Sequence, residues 1–312
     1  MGDKTGIEWT DATWNPIRGC SRVSEGCRNC YAEKVAARFS GPGQPYNGLA
    51  RNGRWTGEVR LIVEHLEDPL RWKKPRRNFV NSMSDLFHEG LEPAIIGRIL
   101  NVMGAAKQHQ FQVLTKRPER MIEIMMGYYR FLRSDPLPNV WLGVSVEDQK
   151  TADQRIPILL DTPAAVRFIS AEPLIQPIDL RRLDLGDRKT RGYGNRRITW
   201  DSLSEWEMQS EAGKSLGSKA RCMANGEHPR LDWVIVGGES GPGARPFDVE
   251  WARQLIIQCT AAAVPIFVKQ LGTKPFDSKD GNRIYFSSWK GGDWLEWPHW
   301  LKVRQFPRKV AS

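Results

Sequence analysis

Short apolar runs alternate with helical stretches along most of this chain, and this alternation constrains its fold more than any other feature. Six runs rich in β-branched and aromatic residues each end in polar residues: FVNSMSD (79–85), FQVLTKR (111–117), VWLGVSVED (140–148), VRFISAEP (166–173), WVIVGGES (233–240) and PIFVKQL (265–271). Runs this uniformly apolar are typical of parallel strands that are covered on both faces. Stretches with helical character lie between them, at 92–109, 118–134 and 249–263. The order therefore predicts repeated βα units.

The number of runs favours a barrel. If WNPIRG (14–19) is also a strand, the chain has seven, which favours a full or partial (β/α) TIM-like barrel of parallel strands over an open doubly wound sheet. The whole chain, 1–312, is then one barrel-like domain. Residues 181–232 are polar and rich in Gly, Ser and Arg, and we interpret them as an insertion between the fifth and sixth strands. A basic tail, 296–312, ends the chain.

Composition indicates the cellular compartment of the protein and the class of its binding partner. The chain begins without an apolar leader and contains no run of about eighteen apolar residues, so we expect neither a signal peptide nor a membrane helix. An odd total of five cysteines fits the reducing cytoplasm, where a tight cysteine cluster indicates metal or redox chemistry more often than disulfides. A net charge of +10 favours contact with nucleic acid or a nucleotide-like substrate.

Polar residues concentrate where the predicted strands end. Parallel barrels carry their chemistry at the carboxyl ends of the strands. The residues found there are Ser84, Asp85, Thr115, Lys116, Arg117, Ser145, Glu147, Ser170, Glu172, Gly237, Gly238, Glu239, Ser240, Lys269 and Gln270. A fold kept only for stability does not need so many charged groups at one edge, although each of them also suits a cap or an ion pair.

Three of the five cysteines lie within eleven positions, as Cys20-x6-Cys27-x2-Cys30, directly before the helix-forming run YAEKVAARF. A helix N-terminus favours the thiolate that ligates metal. A structural zinc site takes four ligands, and the nearest histidine in the sequence is His65. A [4Fe–4S] cluster held by three thiolates, with one iron left open, fits the pattern better. Zinc and unligated thiols are the alternatives. Adenosylmethionine is the leading candidate for the open iron.

The same segment, WTDATWNPIRGCSRVSEGCRNCYAEKVAARF, resembles the N-terminal signature of a family of phage and prophage proteins placed near the radical S-adenosylmethionine (radical SAM) superfamily. The resemblance continues through NSMSDLFH, VLTKRPERM, WLGVSVEDQ, RFISAEPLI, WVIVGGESGPGARP and VKQLG. It implies an iron–sulfur enzyme that modifies or repairs a nucleic-acid base or nucleotide and takes electrons from a donor. The usual spacing of that superfamily is x3 then x2. The spacing here is x6 then x2, and this departure weakens the case for adenosylmethionine cleavage more than the case for a cluster.

Adenosylmethionine defines what its site must offer. Its carboxylate requires a cation, which favours Lys116 or Arg117. Its hydroxyls and sulfonium require acceptors, which favours Glu147 or Glu172. We therefore expect a cofactor site containing Lys116, Arg117, Ser145, Glu147, Gly237 and Gly238, and catalytic groups Glu172, Glu239 and Lys269. In the alternative interpretation, these charges pair with one another and only close the carboxyl ends of the strands.

Two further hypotheses belong to other functional classes. In the first, the chain binds nucleic acid without catalysis, and its metal has only the structural role of stabilising a loop. The segment RWKKPRR (71–77) fits this hypothesis with one stacking residue and five cations, namely Trp72 with Arg71, Lys73, Lys74, Arg76 and Arg77. In the second, the chain is a metal-dependent hydrolase that uses the carboxylates Asp85, Glu147, Glu172 and Glu239. We expect Cys259 to be a core residue. Cys222, in the insertion, is either a free thiol or an auxiliary ligand.

Overall fold

The computed structural model describes residues 5–184, 198–204, 208–210 and 230–308. Seven strands form its main sheet, and they follow one another across the sheet in the order in which they occur in the chain. They are β1 (Ala12–Trp14), β2 (Arg77–Val80), β3 (Gln110–Thr115), β4 (Val140–Ser145), β5 (Val166–Ala171), β6 (Trp233–Gly237) and β7 (Ile266–Gln270). A doubly wound sheet reverses its strand order at a switch point, and this sheet does not.

The chain divides into two compact units. The first runs to residue 145 and includes 162–166. In it β1 pairs with β2, β2 with β3 and β3 with β4, each in parallel. The second comprises 146–161 and the described residues from 167 onward. In it β6 pairs in parallel with both β5 and β7. Every residue of β4, β5 and β6 is buried, so the uniformly apolar pattern of the sequence correctly indicates strands covered on both faces.

Five helices of eight or more residues belong to the described part of the chain. They are α1 (Tyr31–Arg38), α2 (Pro93–Ala105), α3 (Pro118–Leu132), α4 (Gln149–Asp161) and α5 (Val249–Ala261). Both α2 and α3 begin with proline, whose fixed φ suits a first turn and whose missing N–H is not needed there. The α5 helix begins instead with a side-chain cap, because the carboxylate of Asp248 accepts the N–H of Glu250 at 3.0 Å.

Shorter elements fill the connections. Helical turns occur at Glu25–Cys27, Val63–Leu66, Asp68–Arg71, Trp294–Glu296 and His299–Leu301. Antiparallel pairs form between Ile17–Arg18 and Arg60–Leu61 and between Ala50–Arg51 and Arg54–Trp55. Between β5 and β6, the strands Leu183–Asp184, Ile198–Trp200 and Met208–Ser210 form a small antiparallel sheet. A last sheet joins Phe247–Asp248, Pro275–Asp277 and Asn282–Arg283.

The structure corrects the first predicted strand. The main sheet begins at Ala12–Trp14, not at 14–19, and Ile17–Arg18 pairs outside it with Arg60–Leu61. The α4 helix was not among the predicted helical stretches because Pro157 lies inside it and interrupts the expected pattern. Much of the 181–232 insertion, including Cys222, lies outside the described residues. None of the described helices has the length and hydropathy that crossing a bilayer requires.

Two glycines of α2 provide a test of the packing. A methyl group added at Gly97 meets nothing within 4 Å, whereas one added at Gly104 lies 3.2 Å from a methyl of Leu137. Gly97→Ala should raise the free energy of unfolding by about 0.5–1 kcal/mol, because alanine loses less backbone entropy in a helix. Gly104→Ala should gain less, since Leu137 must shift. Chemical denaturation measures both, and equal gains would contradict the packing described here.

Candidate functional site

The cysteine loop follows β1 and is joined to the turn that follows β2. Gly19 forms a parallel bridge with Ser84, and its φ of +93° suits glycine. A side chain at Gly19 would collide with the carbonyl oxygen of Glu58. The Ser84 hydroxyl donates to the carbonyl of Ile17 at 2.9 Å. Cys20 is therefore placed by backbone constraints on the residue before it.

The guanidinium of Arg117 connects the cysteine loop to the ends of two strands. Arg117 is 5% exposed. It donates to Asp85 at 3.0 Å, to both oxygens of Glu89 at 2.9 and 3.0 Å, and to the carbonyl and hydroxyl of Ser21 at 3.2 and 2.7 Å. Burial alone disfavours a charged guanidinium, but the carboxylate of Asp85 and other acidic neighbours outweigh it and raise the pKa of Arg117. A permanent positive charge is thus fixed against Ser21, the residue that follows Cys20.

Asp85 is the anion that balances this cation. Besides Arg117, it accepts the hydroxyl of Thr115 at 2.7 Å and the N–H groups of Phe87 and Lys116 at 3.0 and 3.2 Å. Thr115 ends β3, and Asp85 lies in the turn after β2. Four donors on one buried carboxylate satisfy it fully, which is the condition under which a buried charge is tolerated.

His88 completes the contacts of Ser21. Its Nδ1 accepts the N–H of Gly90 at 3.1 Å, so in the neutral ring the proton lies on Nε2, which donates to the Ser21 hydroxyl at 2.9 Å. Burial, together with the charge of Arg117, lowers the pKa of His88 and favours this neutral form. Ser21 is therefore held from two sides.

Glu33 of α1 anchors the next residue of the loop. Its buried carboxylate accepts two hydrogen bonds from Nε of Arg22 at 3.1 Å and a third from Nη2 of Arg22. It also accepts the N–H of Trp55 at 2.9 Å. Consecutive residues of the cysteine loop, Ser21 and Arg22, are thus fixed to different parts of the first unit.

The thiols lie in this anchored loop and are all unoxidised, as is Cys259 in α5. Cys20 is close enough to Cys27 and Cys30 for their charges to raise its pKa. Burial raises the pKa of Cys20 to about 12, with Asp85 adding to the rise and Arg117 opposing it. Burial also raises the pKa of Cys30, opposed by the peptide N–H of Glu33 and the charge of Lys116. A metal that binds here must displace protons from these thiols.

In the second unit, Glu172 and Lys269 meet at the carboxyl ends of β5 and β7. Lys269 Nζ donates to Glu172 Oε1 at 2.6 Å, and the amide of Gln270 donates to the same oxygen at 3.3 Å. A side chain at Gly237 would lie 3.2 Å from Glu172. Gly238 has its backbone against Leu271, where a side chain would not fit. The glycines leave room for Glu172 and for a close backbone approach.

Two other predicted residues of the second unit are held in buried ion pairs. Both oxygens of Glu147 accept hydrogen bonds from Arg155, at 3.1 and 3.2 Å. Glu239 accepts from the side chain of Arg245 at 2.8 and 3.0 Å and from its N–H at 2.9 Å. Neither cation, Arg155 or Arg245, belongs to the predicted set, so these are not pairings of the strand-end charges with one another. In the first unit, Ser145 is buried as the last residue of β4.

The basic segment 71–77 is partly engaged with its own surroundings. Arg71 pairs with Asp68 at 2.5 Å. Arg77 pairs with Asp11 at 2.7 Å. Arg76 lies 5.3 Å from the ring centre of the half-buried Trp72. Lys73 and Lys74 are exposed. Arg71 is exposed as well, so three of the five cations of the segment face solvent.

Sequence reasoning missed Ser21, Glu33, His88 and Glu89. Their contacts join positions as far apart as 96 residues, and no local spacing reveals them. Within the described ranges, no set of three or more Cys, His, Asp or Glu side chains is arranged to hold a single metal ion.

Comparison with known proteins gives one match. Residues 4–298 match the model of a family described as "Protein of unknown function (DUF5131)". No curated protein and no solved structure is significantly similar to the chain.

Removing the Arg117 guanidinium should destabilise the first unit strongly. Arg117→Ala leaves the buried carboxylate of Asp85 without its counter-charge, and we expect a loss of about 3–5 kcal/mol in the free energy of unfolding. Arg71→Ala breaks an exposed pair with Asp68 and should cost only about 0–1 kcal/mol. Urea denaturation of both variants measures the difference. Equal, small losses would show that the Arg117 pair does not hold the loop.

Proposed function

The chain belongs to the DUF5131 family, and we propose that it is an iron–sulfur enzyme of the radical SAM type that acts on a nucleic-acid base or nucleotide. The observation that carries the proposal is the anchored loop of Cys20, Cys27 and Cys30. Three unoxidised thiols lie together there, beside the cations Arg117 and Lys116.

The donor set fits a [4Fe–4S] cluster. Each of three cubane irons binds its own thiolate, so the three sulfurs need not converge on a single atom. Three thiolates bring negative charge into a half-buried loop. The charge of Lys116 opposes it at Cys30, whereas at Cys20 the carboxylate of Asp85 outweighs Arg117, so the irons of the cluster would have to supply most of the positive charge there. Ser21 and Arg22, between the first two ligands, are held by Arg117, His88 and Glu33. A ligand loop held in this way keeps its geometry in the absence of the group it binds.

When reduced, such a cluster supplies the electron that cleaves adenosylmethionine. The protein's own residues have the tasks of binding and orientation. Lys116, which is only partly buried, is the better candidate than Arg117 for the carboxylate, because every nitrogen of the Arg117 guanidinium already donates to Asp85, Glu89 or Ser21. Glu172, held by Lys269, is the candidate acceptor for ribose hydroxyls.

The topology supports a (β/α) TIM-like barrel, full or partial. The order of the strands in the sheet is their order in the chain, as in barrels of this class. Polar residues follow β2, β3, β5 and β6 at their carboxyl ends, where such barrels carry their sites. An electron donor and a cytoplasmic location are parts of the same proposal.

The hydrolase hypothesis is weaker. Its four carboxylates each pair with a cation: Asp85 with Arg117, Glu147 with Arg155, Glu172 with Lys269 and Glu239 with Arg245. A divalent metal would have to compete with each of these cations for its carboxylate.

Iron content tests the cluster. Replacing Cys20, Cys27 and Cys30 together by Ala should abolish iron binding and the brown absorption of the anaerobically reconstituted protein, because the thiolates are its ligands. Cys259→Ala is the matched control, since Cys259 is a core thiol whose pKa burial raises to about 12. Cys222→Ala should also retain iron. Unchanged iron in the triple variant, or one zinc in a colourless wild-type protein, would refute the proposal.

Calorimetry tests the adenosylmethionine site. Glu172→Gln keeps the shape of the side chain but removes its charge, and should weaken adenosylmethionine binding to the iron-loaded protein by about ten- to a hundredfold without loss of iron. Glu250→Gln is the control. Glu250 is equally exposed at 18% and pairs with Lys279 as Glu172 pairs with Lys269, but it lies in the first turn of α5. If wild-type protein with an intact cluster binds no adenosylmethionine, the radical mechanism is wrong.

A further inference from the structure

The segment 283–290 exposes two large aromatic side chains. Tyr285 is 78% exposed and Trp289 is 61% exposed. Single apolar residues on a surface are ordinary, but two aromatics this exposed within one short segment make that segment a candidate binding surface. Neither residue belongs to the site proposed above.

A cation accompanies each ring. The guanidinium of Arg283 lies 5.1 Å from the centre of the Tyr285 ring, and the ammonium of Lys290 lies 5.3 Å from that of Trp289. Each pair places a positive charge over one face of an aromatic ring. A nucleotide presents the complementary combination, a flat base beside a phosphate.

The nearby acids are occupied by backbone donors. Glu296 accepts the N–H of Ser287 at 3.0 and 3.1 Å, and Asp293 accepts the N–H of Leu295 at 2.9 Å. From 283 to 308 the sequence contains five Lys and Arg residues against these two acids. The stretch 283–308 is therefore positive on balance, although Asp277 and Asp280 lie on the turn before it, whose strand pairs with Asn282–Arg283. A positive stretch favours a polyanion as the partner.

Trp289 is fixed beside the loops that follow β6 and β7. Its carbonyl accepts the hydroxyl of Thr273 at 2.9 Å, and the Thr273 hydroxyl in turn accepts the N–H of Gly241 at 2.9 Å. A side chain at Gly241 would lie 3.9 Å from the Trp289 ring. The ring thus lies at the carboxyl ends of the strands, the edge at which sheets of this class bind ligands.

We propose that segment 283–290 binds single-stranded nucleic acid, with bases stacked on Trp289 and Tyr285 and phosphates contacted by Arg283 and Lys290. The proposal rests on the nucleic-acid part of the proposed function and names the surface that receives the strand. The other candidate aromatic, Trp72, is less suited to stacking. Unlike Trp289 and Tyr285 it is half-buried, and the edge of His109 lies against it.

Fluorescence anisotropy with a labelled thymidine oligonucleotide of about twelve nucleotides tests the surface. Trp289→Ala should weaken binding by about 5- to 150-fold, the loss expected for one stacked base, while Trp289→Phe should keep most of the affinity. An abasic oligonucleotide of the same length presents the same phosphates without bases. It should bind more weakly than thymidine to wild-type protein and equally to wild type and Trp289→Ala. Lys290→Gln should lower the slope of log affinity against log salt by about one.

Phe131→Ala is the matched control, because Phe131 is an aromatic residue exposed to 85% in α3 of the first unit. It should bind thymidine like wild type. The proposal is overturned if Trp289→Ala and Tyr285→Ala bind as wild type does, if the abasic strand or a duplex binds as tightly as thymidine, or if only the Lys73→Gln/Lys74→Gln variant loses affinity.

Iron content separates this inference from the proposed function. Trp289→Ala should contain as much iron as wild type. Iron-loaded protein that binds no single strand even at low salt overturns the surface and leaves the cluster standing. Stacking-dependent binding by a protein that takes up no iron supports the surface and overturns the iron–sulfur proposal alone.

Discussion

The buried charge of Arg117 is the constraint on which the candidate site depends. A guanidinium removed from water is tolerated only when its donors find acceptors. Here the acceptors come from the turn after β2, through Asp85 and Glu89, and from the cysteine loop, through Ser21. The cost of burying one charge therefore couples the cysteine loop to the ends of two neighbouring strands. Any movement of Ser21 away from this position leaves donors of Arg117 unpaired.

This coupling determines the electrostatic environment of the thiols. Burial disfavours the thiolate of Cys20, and Arg117 acts against that effect from a fixed position. A metal or cluster supplies the remaining positive charge when it replaces the protons. On the other side of the loop, the buried carboxylate of Glu33 fixes Arg22 and the short strand at Trp55. The loop is held by contacts that do not involve its cysteines, so its shape does not depend on a bound group.

The sequence predicted most of the secondary-structure elements, but not the long-range side-chain contacts that join them. Apolar runs predicted six of the seven strands, since a strand that is buried on both faces must be composed largely of apolar residues. The first was misplaced because Ile17 pairs with Leu61, a contact that no local pattern encodes. The cysteine spacing identified the loop, but not its anchors. Arg117 and Ser21 are 96 residues apart, and Glu172 and Lys269 are 97 apart. Side-chain pairing over such separations follows from the fold, which a local pattern does not contain.

The charges at the strand ends differ in what they have left to offer a ligand. Arg117, Glu147 and Glu239 are each buried in an ion pair, so a ligand could reach them only by breaking it, at the price of an uncompensated buried charge. Glu172 and Lys269 remain partly exposed, and a more exposed pair exchanges partners at lower cost. Trp289 and Tyr285 are more exposed still. Burial thus separates two kinds of groups: the deeply buried pairs fix the loops, whereas the accessible pair and the exposed aromatics are those that a ligand could reach without breaking a buried pair.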